Sequence, residues 1–309
     1  MSSKASKLPP INLHLQDVGD PEGVIGVFDS GIGGLSVLKA LCAEMPHERF
    51  IYWADSGFAP YGERTDEFII ARSRAITEQL LAKGPIKAMV VACNTATAVA
   101  IESLRTHYPL LPFIGVEPAL KPALAQTQTG LVGVVSTQGT LNSARFDKLM
   151  KTVVAEALPK QGHFVLQACK GLALAIEKQT EKSFNDTAEV ADLCAKYVQG
   201  MGSFGQASGQ IDTLVLGCTH YIFVQDILQK LVGAEVRLIS TGEAVAKQTK
   251  RLITPRTEVP LTQTHSSKTA KTELWTTGAL SALQSAALRW LDLPPEHCHQ
   301  AAAQSFSPP

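Results

Sequence analysis

The chain has 309 residues, 28 Lys+Arg balanced by 28 Asp+Glu, and 45% hydrophobic residues. That length suits about two domains, and that composition supports a sizeable core and excludes global disorder. A formal net charge of zero lacks the basic footprint of a dedicated nucleic-acid binder, and no apolar run approaches the ~18 residues of a membrane span.

The N-terminal stretch MSSKASKLPPINLHLQDVGD has no apolar run followed by a small-residue cleavage site, so no secretion signal is expected. The cysteines stand at 42, 93, 169, 194, 218 and 298. None forms a CxxC pair and they are too sparse for a disulfide scaffold, which predicts free thiols in a reducing cytoplasm.

In chain order, residues 1–22 read as an arm. VIGVF (24–28) predicts a strand that ends in Asp29-Ser30-Gly31-Ile32-Gly33-Gly34, and LSVLKALCAEM then takes helical spacing. FIYWA (50–54) is a strand ending at Asp55-Ser56-Gly57. TDEFIIARSRAITEQLLAKG (65–84) is a helix with Thr65 as N-cap and Gly84 as stop. AMVVAC (88–93) is a strand ending at Cys93-Asn94-Thr95, with ATAVAIESLRTHY as the next helix and PFIGV (112–116) the next strand.

A second set opens at LVGVVS (131–136), followed by Thr137-Gln138-Gly139-Thr140 and the helical SARFDKLMKTVVAEA. HFVLQAC (163–169) precedes the helices LALAIEKQ and NDTAEVADLCAKYVQ. GMGSFGQASGQ (200–210) reads as a flexible connector. DTLVLGC (212–218) ends at Cys218-Thr219-His220, then come a helix to Leu231, a strand at VRLIS, a strand at ELWTT and a helix at LSALQSAALRWLDL. The two sets align: Val24–Val27 with Leu131–Val134, Phe50–Asp55 with Phe164–Cys169, and Met89–Asn94 with Leu214–Thr219. The expected fold is two similar doubly wound α/β domains with mostly parallel sheets, related by a pseudo-twofold, with the active site in the cleft between them.

Ligands of open α/β sheets bind beyond the carboxyl ends of the strands, where Asp29-Ser30, Asp55-Ser56, Cys93-Asn94-Thr95, Ser136-Thr137 and Cys218-Thr219-His220 collect. Asp29 or Ser30 could equally be helix caps. Gly31-Ile32-Gly33-Gly34 is not a dinucleotide turn, because G-x-G-x-x-G would require glycine at Ser36. Its glycines suit close approach of backbone N–H groups to a small anion. Cys93 and Cys218, each alone, read equally as core. Together they each end an apolar strand, precede a hydroxyl residue and would start a helix, whose N-terminal field lowers a thiol's pKa. Cys42, Cys169 and Cys194 read as packing, and Cys298 as part of a disordered tail. One thiolate removing a proton from a carbon while another thiol returns one to the opposite face would invert a stereocentre. Asn94, Thr95, Thr219 and turn N–H groups suit a carboxylate, and Asp29 an ammonium group or the orientation of Cys93.

The segments GVFDSGIGGLSVL (26–38), YWADSGFAPYGER (52–64), VVACNTATA (90–98), GVEPA (115–119), VGVVSTQGT (132–140) and DTLVLGCTHY (212–221) resemble cofactor-independent glutamate racemases of the aspartate/glutamate racemase superfamily. The resemblance implies interconversion of L- and D-glutamate without pyridoxal phosphate or metal, feeding peptidoglycan synthesis. It implies Cys93 as the base for the D-isomer and Cys218 for the L-isomer, assisted by Asp29 and His220 respectively. ACKGLALAIE (168–177) stands for a family segment that makes Glu177 a further assisting carboxylate. Ser30, Pro60, Tyr61, Gly62, Asn94, Thr95, Thr137 and Thr219, with Asp29 and His220, would contact substrate, while Glu117 gains no role. Lys170-Gly171 and Ile222 depart from the family pattern. The expected organisation is an arm at 1–23, a first domain of 24–117 plus 240–292, a second of 118–239 and a mobile tail at 293–309. Regulation by a cell-wall nucleotide precursor and a homodimer stay open. The alternatives are an aspartate or hydantoin isomerase, against which Thr219-His220-Tyr221 speaks, a non-catalytic gyrase-binding relative, and a thiol oxidoreductase.

Overall fold

The computed structural model describes residues 23–157, 162–181, 188–254 and 272–301. The expected arm at 1–22 and the last residues, 302–309, lie outside them.

Two all-parallel sheets form the frame. The first has six strands in the order β10-β9-β2-β1-β3-β4, from β1 (Val24–Asp29), β2 (Phe50–Ala54), β3 (Ile86–Val91), β4 (Phe113–Gly115), β9 (Thr272–Thr276) and β10 (Cys298–Gln300). The second has the order β6-β5-β7-β8, from β5 (Leu131–Ser136), β6 (His163–Ala168), β7 (Thr213–Gly217) and β8 (Arg237–Ile239). Read in chain order, β2-β1-β3-β4 and β6-β5-β7-β8 are the same topology, which matches the repeat seen in the sequence.

Both faces of each sheet are covered, so the strands read as continuous apolar runs. The pleat sorts them. Ile25 and Val27 face a core closed by α1 (Leu35–Glu44), α10 (Gly242–Ile253) and α11 (Leu280–Leu291). Val24 and Phe28 face the opposite core with α2 (Asp66–Leu81) and α3 (Asn94–His107). In the second sheet Leu214 and Leu216 pack with α7 (Leu172–Glu181), α8 (Ala188–Gln199) and α9 (Gln225–Val232). Val132, Val134 and Val215 pack with α4 (Leu120–Gln126) and α6 (Ala144–Glu156). The predicted cap of α2 forms, with Thr65 Oγ1 accepting from Phe68 N at 3.3 Å.

Two expectations are corrected. The tail is not mobile from residue 293: Cys298–Gln300 pairs in parallel with β9, and Cys298 is buried beneath α11. The stretch 200–210 is a folded turn. Gly202, Gly205 and Gly209 take positive φ, Met201 is buried, and Phe204 bridges to Ile211. Glycine there supplies left-handed backbone rather than looseness. Among the described residues no helix is long and apolar enough to cross a membrane.

Candidate active site

In each sheet the strand order reverses beside the first strand of its unit, so that the helices after β1 and β3, and the segments after β5 and β7, leave on opposite faces. The crevice opens at that switch point. Asp29-Ser30 and Cys93 stand at one crevice, Ser136-Thr137 and Cys218-Thr219-His220 at the other, and the two crevices meet.

Cys93 is the N-cap of α3, and Ala96 N donates to its Sγ at 3.4 Å. Its thiol donates to Ser30 Oγ at 3.7 Å. The expected lowering of its pKa by the helix does not occur. Burial pushes the Cys93 thiol well up and nearby Asp29 adds to it, while the Ala96 N–H offsets only part. Asp29 is fully buried, with Oδ2 accepting from Gly34 N at 2.7 Å and from Thr219 Oγ1 at 3.4 Å. Burial also raises the Asp29 carboxyl; Glu177 adds to the rise, and His220 and two backbone N–H groups oppose it.

Cys218 precedes a 3-10 segment, Thr219–Val224, rather than the α-helix the sequence suggested, and α9 begins only at Gln225. Its partner is an imidazole. His220 Nδ1 lies 3.8 Å from Cys218 Sγ, and Nε2 lies 2.7 Å from Glu177 Oε2. Burial disfavours the His220 charge, but hydrogen bonds and charge from Cys218 and Glu177 outweigh it and raise the pKa well above the ordinary value. The sequence therefore places Glu177 within reach of His220 despite the Lys170-Gly171 departure. There Gly171 turns at positive φ, and Tyr197 donates to the Lys170 carbonyl.

The two sides interlock. Glu177, from the second unit, accepts from Ile32 N at 3.0 and 3.2 Å and from Ser56 Oγ at 2.5 Å, both in the first. The glycine turn thus holds this chain's own carboxylates, Glu177 and Asp29, where the sequence suggested a bound anion. Gly31 and Gly33 are demanded by this closeness. A Cβ at Gly31 would collide with the Glu177 carboxylate, and one at Gly33 with the His220 ring. The thiols rim separate cores, Cys93 with α2 and α3 and Cys218 with α7 to α9. They nevertheless meet one turn, Cys93 through Ser30 Oγ at 3.7 Å and Cys218 through its neighbour Thr219, which donates to Asp29 Oδ2 at 3.4 Å. A cavity of about 520 Å³ meets Cys218 and Thr219 on the side of α1 and α10, with Lys39 and Lys247 in its wall.

The other expected contacts cluster around these groups. Both amide atoms of Asn94 are buried without a protein hydrogen-bond partner among the described residues. Thr95 Oγ1 lies 2.9 Å from Thr137 Oγ1, across the two units. Thr140, which sequence reasoning missed, joins them at 2.9 Å from Thr137 Oγ1, its signal being the spacing three residues beyond an N-cap. Pro60 and Gly62 flank Tyr61, whose buried hydroxyl donates to Asp55 Oδ2 at 2.6 Å. Glu117 finds a partner in Arg145, at 2.6 Å. Ser56, which the sequence places at the ligand end of β2, bonds to Glu177, a partner sequence reasoning missed because it is remote along the chain.

A family model described as Asp/Glu/Hydantoin racemase matches residues 25–249. The chain belongs to this family. Racemases are isomerases, and so is this family member. A protein named glutamate racemase from Ectopseudomonas mendocina is 43% identical over 260 residues, 84% of this chain and 91% of its own. Another from Herpetosiphon aurantiacus is 45% identical over 229 residues, 74% of this chain and 84% of that protein. The crystal structure of glutamate racemase isoform RacE1 from Bacillus anthracis superposes with a TM-score of 0.71 at 30% identity, covering 92% of this chain and 98% of that one. That of the Escherichia coli glutamate racemase, in complex with L-glutamate and the activator UDP-MurNAc-ala, gives 0.71 at 28% identity, covering 87% and 96%.

Proposed function

We propose that this racemase interconverts L- and D-glutamate by a two-base reaction at Cα. The observation that carries the reading is the pair of thiols at the ends of the equivalent strands β3 and β7, one from each unit, both at the Asp29-Ser30 turn: Cys93 meets Ser30 Oγ at 3.7 Å, and Thr219, next to Cys218, meets Asp29 Oδ2 at 3.4 Å. From the L side, the Cys218 thiolate takes the Cα proton. The carbon's electron pair delocalises into the substrate carboxylate, and the Cys93 thiol gives its proton to the opposite face. The D-isomer leaves a Cys218 thiol and a Cys93 thiolate, which is the state that runs the reverse reaction.

Asp29 governs proton movement at Cys93, and His220, backed by Glu177, does so at Cys218. A positioned acid or base contributes about 10²–10⁴-fold; the remainder comes from donors to the developing charge and from exclusion of water. Asn94, with both amide atoms uncommitted, and the Thr95, Thr137 and Thr219 hydroxyls supply such donors. Because both thiols are buried, substrate enters when the two units part. The names of the relatives support glutamate as substrate, and the sequence Thr219-His220-Tyr221 favours it over aspartate. In this proposal the D-glutamate serves peptidoglycan synthesis in the cytoplasm, with a cell-wall nucleotide precursor as the class of regulator.

The test is incubation of each glutamate enantiomer in D₂O without added cofactor, following optical rotation and Cα deuterium. Loss of rotation accompanied by deuterium at Cα is expected from both sides. Unchanged rotation with either enantiomer overturns the assignment.

A further inference from the structure

Glu177 is bound mainly by the unit to which it does not belong. It rides on α7, yet Ile32 N and Ser56 Oγ, both from the first unit, hold its carboxylate while His220 Nε2 reaches its Oε2. At Oε1 the 2.5 Å contact is the Ser56 hydroxyl, and the backbone N–H stands farther away at 3.2 Å.

Ser56 is itself held in a rigid frame. It follows Asp55, a fully buried carboxylate gripped by Arg72 at 2.6 and 2.9 Å, by Tyr61 at 2.6 Å and by Thr277 at 3.0 Å. Gly57 N donates to the same Thr277 hydroxyl at 3.1 Å. A buried charged pair with this many donors fixes direction as well as place.

A carboxylate behind an imidazole sets the ring's orientation and stabilises its charged form, and the groups that orient that carboxylate matter in turn. We propose that Ser56 is a positioning residue for the Cys218 half of the reaction, acting through Glu177 on His220. Its hydroxyl fixes Glu177 only when the two units are together, so closure of the cleft and assembly of the Cys218–His220–Glu177 chain are one event. The proposal rests on the two-base reading above.

Ser56→Ala in the full chain tests it. The enantiomers have equal free energy, so kcat/KM must fall equally in both directions; the expected fall is about 10–100-fold, carried by kcat with KM nearly unchanged. The asymmetry appears in the isotope effect. With [2-²H]-L-glutamate, whose deuteron Cys218 removes, the effect rises. With [2-²H]-D-glutamate it falls toward unity, because the Cys218 step then limits both directions. An isotope effect is a ratio per active molecule and is insensitive to any misfolded fraction. In the Glu177→Gln background, Ser56→Ala should add almost nothing, since both act along one path. Wild-type rates in Ser56→Ala, equal isotope shifts for both enantiomers, or full additivity with Glu177→Gln would each overturn the role of Ser56. Failure of the two-base reading is distinguishable, because the wild-type chain would then show no exchange with inversion.

Discussion

The Cys93 side and the Cys218 side share strand topology but not chemistry. At Cys93 the neighbours are a carboxylate and a serine hydroxyl, and burial with the Asp29 charge favours the protonated thiol. At Cys218 the neighbour is an imidazole whose pKa is held high by the groups around it. A thiol beside an anion holds its proton. The asymmetry therefore sets a carboxylate near one sulfur and an imidazole beside the other. The duplication set a sulfur at the end of each equivalent strand, and divergence of the surrounding residues gave the two different neighbours.

The largest effect expected on this comparison is at the sulfurs. Cys93→Ser and Cys218→Ser should each lower racemisation by about 10³-fold or more, since a serine hydroxyl is a far weaker acid than a thiol and is not ionised to act as a base near neutral pH. Chiral chromatography of the product checks this. Full activity in either variant would defeat the two-base scheme.

Next come the assisting groups. Asp29→Asn and His220→Asn should each cost about 10²–10³-fold in kcat, with opposite isotope signatures. Asp29→Asn should enlarge the deuterium effect for the D-isomer, and His220→Asn that for the L-isomer. Deuterated substrates read this directly, and identical signatures would erase the distinction between the sides.

The smallest effect is on the free enzyme's titration. Because the Cys93 pKa is raised, its alkylation by iodoacetamide should be slow at neutral pH. The rate should keep climbing with pH beyond the point, near about 8.5, where an ordinary thiol is half ionised. Asp29→Asn removes a nearby negative charge and should move the rise to lower pH. Peptide mass spectrometry resolves the site; a rate at Cys93 already maximal at neutral pH would contradict the raised value.

Much of the frame was legible in the chain. Strands buried on both faces leave unbroken apolar runs, and the polar residues that interrupt them, Asp29, Cys93 and Cys218, mark the carboxyl ends where the crevice forms. Short pieces were not legible. β10 has three residues, follows Pro294-Pro295 and holds a polar His299-Gln300 pair, so nothing local distinguishes it from a tail; its pairing with β9 and the burial of Cys298 are tertiary facts. The glycines of 200–210 read as freedom because composition does not reveal positive φ. The Cys93 pKa was misjudged because the helix terminus is a local signal, whereas burial and the approach of Asp29 belong to the fold. Ser56 was legible as a residue at the end of a strand, but its partner was hidden for the same reason. It meets Glu177 across 121 residues of sequence, and a lone serine after a strand carries no trace of that.

A crystal structure of the racemase with bound glutamate tests the central claim most directly. Cα should lie between the sulfurs of Cys93 and Cys218, on opposite faces and each within about 3.5 Å, the separation of reacting atoms poised for transfer. A ligand that touches one sulfur alone, or has both on the same face of Cα, would contradict the account.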